Sequence, residues 1–278
     1  MKVLKNIDQV RHFTSLIRSV GKTVGFVPTM GNLHQGHVSL VERAKQENSI
    51  VGVSIFVNPT QFGPTEDYNK YPRTLEADVE KLEKAGCDFV FFPEVKTMYK
   101  DGVSDVFVTE KYASTVLCGK FRPGHFDGVL TVVSKLLNIC NPSKAYFGMK
   151  DYQQLVLIKE MVKALNMDVE IIPCPIIREQ DGLAMSSRNS YLINKDRENA
   201  LKINEALNKI KEAFKNGEKD PDKLKKIGLE VLIPKIAVQY LELLDPDGLK
   251  KVDNANSGCL VAVAGYCGQV RLIDNIIL

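Results

Sequence analysis

Between residues 24 and 172 short apolar runs alternate with helix-spaced apolar stripes, and this alternation admits few folds. The runs cover residues 24–27, 50–57, 89–92, 145–147 and 169–172. Between them, Val129, Val132, Val133, Leu136, Leu137 and Cys140 form one helical stripe, and Leu155, Ile158, Met161, Val162 and Leu165 another. A preceding stripe, Ile7, Val10, Phe13, Leu16 and Ile17, stops before Gly21. Strands that read as continuous apolar runs are buried on both faces, so the pattern predicts an α/β fold with a parallel sheet covered on both sides. In such a sheet ligands bind beyond the carboxyl ends of the strands. The polar clusters at residues 29–37, 58–61, 148–154 and 178–188 each follow an apolar run, so four loops converge on one rim.

The first of these clusters is Pro28-Thr29-Met30-Gly31-Asn32-Leu33-His34-Gln35-Gly36-His37. A strand running through a glycine-bearing turn into a helix aims backbone N–H groups and the helix dipole at an anion, which reads as a phosphate site. His34 and His37 stand three apart and can project to one side. Gly31 and Gly36 have the P-loop's glycine spacing, but His37 stands where its lysine belongs, and no Gly-x-Gly-x-x-Gly is present. Taken alone, the stretch fits a strand–helix turn with two surface histidines as well as it fits a nucleotide site.

A chain of 278 residues allows one large domain or two. With 44% hydrophobic and 26% charged residues it can bury a full core. The 37 basic and 34 acidic residues are interspersed, leaving no basic stripe for nucleic acid. Six cysteines form no C-x-x-C pair and several lie inside apolar runs, which predicts buried free thiols in a reducing compartment. The N-terminus lacks an apolar h-region and no uncharged run approaches a membrane span, so the expected location is cytoplasmic, with no membrane partner.

Residues 58–73 carry three prolines and no periodicity, as binding loops or lids do. Thr74 is placed to cap a helix over 75–85. Between residues 93 and 124 the pattern weakens, with a β-like piece at 106–108. After Arg188 a charged helical segment at 196–215 precedes strand-like runs at 238–244, 260–264 and 270–273. The expected division is a catalytic domain over 1–177 and a smaller α+β domain over 178–278.

Several side chains at these loops suit phosphate chemistry. Lys150 offers a cation and Asp151 a carboxylate for ribose hydroxyls, although Lys-Asp after a strand also reads as a solvated turn. Met185-Ser186-Ser187-Arg188 follows Gly182, and its hydroxyls and guanidinium suit a polyphosphate gripped by a mobile loop. Gln61 and Gln154 are neutral amides suited to a small hydroxylated acid. Arg122 and His125 are candidates for further anion contacts or for a helix entry.

These segments, with Val57-Asn58-Pro59-Thr60-Gln61-Phe62, Tyr71-Pro72-Arg73-Thr74, Pro123-Gly124-His125-Phe126 and Phe147-Gly148-Met149-Lys150-Asp151, closely resemble the pantoate:beta-alanine ligase family in order and spacing. The resemblance spans most of the chain. It implies a Rossmann-like nucleotidyltransferase domain of the HIGH superfamily shared with class I aminoacyl-tRNA synthetases. Residues 34–37 then stand in the place of HIGH and residues 185–188 in that of KMSKS.

The resemblance further implies ATP, Mg2+ held mainly by the nucleotide phosphates, (R)-pantoate and beta-alanine as ligands, and a homodimer. Met30, Gly31, Asn32, Leu33, His34, Gln35, Gly36 and His37 would bind ATP, with His37 the candidate proton donor. Gly148, Met149, Lys150, Asp151, Ile177, Met185, Ser186, Ser187 and Arg188 would complete the nucleotide site. Among them His34, His37, Lys150 and Arg188 would be catalytic, and Gln61 and Gln154 would hold pantoate, Gln61 also facing beta-alanine. Met149 and Thr60 depart from the family's acidic residue and methionine. Two rivals share these features: another small-acceptor adenylyltransferase, and a nucleotide-binding regulator that has lost the chemistry.

Overall fold

The computed structural model describes residues 1–64, 66–100 and 104–278. The chain begins β1 (Lys2–Leu4), α1 (Ile7–Ser19), β2 (Val24–Thr29), α2 (Gln35–Glu47), β3 (Ile50–Ile55), α3 (Leu75–Lys84) and β4 (Phe89–Phe91). It continues α4 (Val95–Met98), α5 (Leu117–Phe121), α6 (His125–Cys140), β5 (Lys144–Gly148), α7 (Tyr152–Ala164) and β6 (Glu170–Cys174). The six strands form one parallel sheet in the order β1-β4-β3-β2-β5-β6.

Successive residues of each strand face opposite sides of the sheet, and both sides are filled. Phe26, Phe89, Phe91 and Phe147 pack with Val10, Leu130 and Ile158 from α1, α6 and α7. Their neighbours Val27, Val90 and Tyr146 pack with Leu40, Val41 and Leu82 from α2 and α3. The expectation of a doubly covered parallel sheet therefore holds.

From β2 the chain first builds outward through β3 to β4 and later crosses to β5 on the other side of β2, which makes the β2–β5 boundary the point where strand order reverses. Those two strands pair only at Gly25–Lys144 and Phe26–Ala145. By contrast β2 stays paired with β3 as far as Thr29–Ile55, and β5 with β6 as far as Gly148–Cys174. The middle of the sheet thus parts toward its carboxyl end and opens a crevice.

The remaining elements are α8 (Asn194–Lys215), α9 (Pro221–Leu232), β7 (Ala237–Leu244), β8 (Leu260–Cys267) and β9 (Val270–Ile277). The strands form an antiparallel sheet in the order β7-β8-β9. One face, with Leu241, Val261 and Val263, packs on Ile203, Leu207, Ile210 and Leu224 of α8 and α9. On the other, Leu244, Leu260 and Ala262 join the cluster that holds α6 and α7.

Four details differ from the sequence reading. Residues 106–108 form no strand, and Val106 and Phe107 are exposed. Helix α9 and the short edge strand β1 were not anticipated. Thr74 occupies the N-cap of α3 without a side-chain capping bond, because its hydroxyl donates to Asp78 instead. All six cysteines are free and buried. Among the described residues no helix is long and apolar enough to cross a membrane.

Candidate active site

The turn from β2 into α2 is held from three directions. Thr29 Oγ1 donates to the Ser54 carbonyl of β3 at 2.6 Å and accepts the Gly31 N–H at 3.2 Å. Gly31 and Asn32 take successive left-handed conformations, φ 82° and 49°, that turn the chain sharply. A Cβ on Gly31 would lie 3.1 Å from Asp78 Oδ2, so the turn sits hard against α3. The fully buried Asp78 carboxylate accepts the N–H groups of Asn32 at 2.9 Å and Leu33 at 2.8 Å. Lys81, one turn further along α3, donates Nζ to the Leu33 carbonyl at 2.6 Å. Both polar groups of the Leu33 backbone are therefore fixed, and its side chain enters the core.

This anchoring delivers His34 and His37 as an imidazole capping box on α2. Gly36 N–H donates to His34 Nδ1 at 3.1 Å, and His34 N–H donates to His37 Nδ1 at 3.3 Å. The rings lie 4.0 Å apart between centroids. Because each Nδ1 accepts a backbone proton, each neutral ring carries its own proton on Nε2. Burial and then the nearby Lys150 ammonium lower the His34 pKa to about 4. Burial, followed by His34, Lys150 and Lys81, lowers His37 to about 3. Both rings are neutral at physiological pH, and both line the crevice between β2 and β5.

The other rim loops arrive as the sequence predicts. Met30, Gly36, Gln61, Gly148, Lys150, Asp151, Gln154 and Ile177 line the same crevice, and so do Met185, Ser186, Ser187 and Arg188. Lys150 Nζ lies 4.0 Å from Asp151 Oδ2. The 185–188 segment is closed onto the histidine turn: Ser187 Oγ donates to the Asn32 carbonyl at 3.1 Å. Arg188 crosses the mouth to Asp67, with Nη2 to Oδ1 at 3.0 Å and Nε to Oδ2 at 3.3 Å. Ile177 gives its carbonyl to Met185 N–H at 3.0 Å. Five predicted nucleotide residues do not line the crevice: Gly31, Asn32 and Leu33 form its supporting turn, Gln35 is exposed, and Met149 packs against the α6–α7 core.

Gln61 lies on a short 3-10 turn (Pro59–Gln61) whose orientation comes from Asn58. Asn58 is buried and its Nδ2 donates to Gln61 Oε1 at 3.1 Å and to the Gly128 carbonyl of α6 at 3.1 Å. Its Oδ1 accepts Tyr99 OH at 2.8 Å and Thr60 Oγ1 at 3.0 Å. With its oxygen held there, Gln61 turns its amide nitrogen to Met30 Sδ at 2.9 Å. The Thr60 departure thus feeds the Asn58 hub, and the Thr60 side chain does not line the crevice.

Arg122 and His125 are not free for anions. Arg122 grips Glu66 through Nε and Nη2, both at 2.6 Å, and its Nη1 lies 2.9 Å from His125 Nε2. His125 Nδ1 lies 2.7 Å from the Gln61 carbonyl, so this ring carries its proton on Nδ1, the opposite tautomer to His34 and His37. Burial and then Arg122 lower its pKa to about 4. The pair therefore ties Gln61 to Glu66.

Asp78, Lys81, Asn58 and Asp67 are the supporting residues that sequence reasoning missed. Asn58 had a signal in the quoted Asn-Pro-Thr-Gln stretch. Asp78 had none, since its place on α3 says nothing of the turn it meets.

Residues 2–277 match the family model described as pantoate-beta-alanine ligase. The pantothenate synthetase of Caldicellulosiruptor saccharolyticus is 50% identical over 281 residues, which covers 100% of this chain and 99% of that protein. A crystal structure of the pantothenate synthetase from Thermus thermophilus aligns with TM-score 0.94 at 42% identity, over 100% of this chain and 99% of that one. The pantoate-beta-alanine ligase of Francisella tularensis, solved in complex with beta-gamma ATP and beta-alanine, aligns with TM-score 0.82 at 40% identity, over 100% and 97% of the two chains. Matched from end to end in sequence and in fold, the chain belongs to the pantoate-beta-alanine ligase family.

Proposed function

We propose that the crevice between β2 and β5 carries out both halves of an ATP-dependent condensation of (R)-pantoate with beta-alanine. The observation that carries this reading is the pair of neutral imidazoles, each with its proton on Nε2, set beside Lys150 and Arg188 where β2 and β5 part. ATP lies with its phosphates at this mouth, its ribose at Gly148 and Asp151, and its adenine at the Ile177 backbone. Gln61 and Gln154 hold pantoate, and Gln61 also faces beta-alanine.

The pantoate carboxylate attacks the α-phosphorus, the bond from that phosphorus to the bridging oxygen breaks, and pyrophosphate leaves with the electron pair. His34, His37 and Lys150 stabilise the charge that develops on it by hydrogen bonds and field, and Arg188 joins them on exchanging Asp67 for phosphate oxygens. With its pKa lowered to about 3 by burial and its charged neighbours, His37 serves as a hydrogen-bond donor from Nε2 rather than as a charged acid. The amine of beta-alanine then attacks the acyl carbon of the pantoyl-adenylate, forming the amide and releasing AMP. The closed 185–188 segment keeps water from the intermediate.

The side chains at the mouth are N–H donors and cations, suited to phosphate oxygens rather than to Mg2+, so the metal would be held by the phosphates, with Asp151 the carboxylate of the lining. Bound there, Mg2+ neutralises phosphate charge. The family resemblance also supports a homodimer, the change to a charged helix followed by strand-like runs supports a division near residue 178, and the buried free thiols support a cytoplasmic location. Light scattering tests the dimer, which would have twice the 31.0 kDa chain mass.

The site reading is tested by pyrophosphate exchange into ATP with Mg2+, with and without (R)-pantoate, followed by beta-alanine. Exchange that needs pantoate, is lost in Lys150→Met, and gives AMP and amide only after beta-alanine is the expected result. Exchange that persists in a folded Lys150→Met variant would overturn the site.

A further inference from the structure

Asp274 and Asn275, adjacent on β9, are among the few buried polar side chains, 3% and 4% exposed. Each reaches out of its own sheet to a different loop of the crevice. Asn275 Nδ2 donates to the carbonyls of Met149 and Lys150, both at 2.9 Å, which are the peptides on either side of the Lys150 side chain. Both protons of one amide are used on one turn. Asp274 takes the Arg178 guanidinium through two bonds, Oδ2 to Nη1 at 2.6 Å and Oδ1 to Nη2 at 3.0 Å. Arg178 Nη1 also donates to the Gly182 carbonyl at 3.1 Å, and Arg178 bridges Ala184 across the small hairpin that leads into Met185. The Asp274 carboxylate is steadied in turn by the Asn275 N–H at 2.8 Å.

Lys150 follows a strand end and Arg188 sits in a short 3-10 segment, so neither rests on a long regular element. Electrostatic stabilisation of a leaving pyrophosphate needs both cations at fixed positions before the reaction begins. We infer that Asp274 and Asn275 are positioning residues for the nucleotide, the last strand fixing together the Lys150 turn and the base of the 185–188 segment. This rests on the reading of those two segments as the ATP site.

The decisive variant is Asn275→Asp, which keeps size and shape but sets a carboxylate against two carbonyl oxygens. Measured by pantoate-dependent pyrophosphate exchange on the full chain, KM for ATP should rise about tenfold or more, the effect of leaving such buried groups unpaired. KM for pantoate should change less, because Gln61 is held separately by Asn58 and His125. Asn275→Ser, which keeps one donor, should fall between the two. Asp274→Asn should raise KM for ATP while circular dichroism and the thermal midpoint report a folded chain.

An unchanged KM for ATP in folded Asn275→Asp would overturn the inference. So would a parallel rise in both KM values, the mark of a general packing role. If Asn275→Asp fails to fold, Asn275→Ser decides by the same split. Lys150→Met in the same assay separates the two levels: if it too leaves ATP binding intact, the site reading fails rather than the positioning role.

Discussion

At the scale of single residues, the histidine pair shows how backbone geometry selects chemistry. Two imidazoles near a polyphosphate suggest a charged acid, but each Nδ1 here is occupied by a backbone N–H and each pKa lies well below neutrality, to about 4 and about 3, through burial first and charged neighbours second. Replacing His37 by alanine should lower pantoate-dependent exchange by about 10²–10⁴-fold. Glutamine, whose amide can donate from a comparable reach, should retain more. The exchange rate of the parent enzyme should show no inflection near pH 6.5 that disappears in His37→Gln, since the ring is already neutral there; finding one would sink the hydrogen-bond role. The identity of these side chains was legible in the sequence, as was their common side. Their tautomers were not, because these depend on the turn that Asp78 and Lys81 brace from α3, Lys81 holding the Leu33–His34 peptide whose N–H the His37 ring accepts.

Among elements, legibility followed pattern strength. Five parallel strands were readable because short apolar runs between helical stripes have little alternative. The three-residue edge strand β1 is too short to show a period, and residues 106–108 have strand-like composition without strand partners. Helix α9 did leave a signal, an Asp-Pro start in which Asp220 accepts the N–H groups of Asp222 and Lys223 at 2.9 and 3.3 Å. What no pattern revealed is how closely elements approach. On α6, a Cβ at Gly128 would meet the Thr60 carbonyl oxygen at 2.2 Å and the Gln61 nitrogen at 2.7 Å. The glycine therefore admits the 3-10 turn that carries Gln61. Gly128→Ala must push that turn outward, and overpacking of this kind costs about 1–3 kcal/mol. The shift should also raise KM for pantoate more than KM for ATP, because the histidine turn is anchored independently by Asp78. Equal effects on both substrates, or none in a folded variant, would contradict this account.

For the whole molecule, the question is whether the proposed division near residue 178 is also a division in stability. The small sheet argues against independence: Leu244, Leu260 and Ala262 belong to the cluster of α6 and α7, and Asn275 is bonded across the division to the Lys150 turn. Separating the sheet would expose apolar surface and strip the buried Asn275 amide of both its partners, so local unfolding of residues 178–278 should cost nearly as much as global unfolding. Urea unfolding followed by far-ultraviolet circular dichroism and by the fluorescence of the tyrosines should give one coincident transition. Its midpoint should also depend on pH in a set direction. His34, His37 and His125 are held neutral by burial and nearby cations, with pKa values lowered from 6.5 to about 4, 3 and 4. As pH falls below 6.5 the unfolded chain takes up protons at these rings while the folded chain does not, so stability present at neutral pH is lost progressively toward pH 4. His125→Gln removes one of the three and should make that decline shallower. Two separated transitions, or a midpoint that rises on acidification through this range, would show that the sheets are energetically separate or that the rings are charged in the folded state.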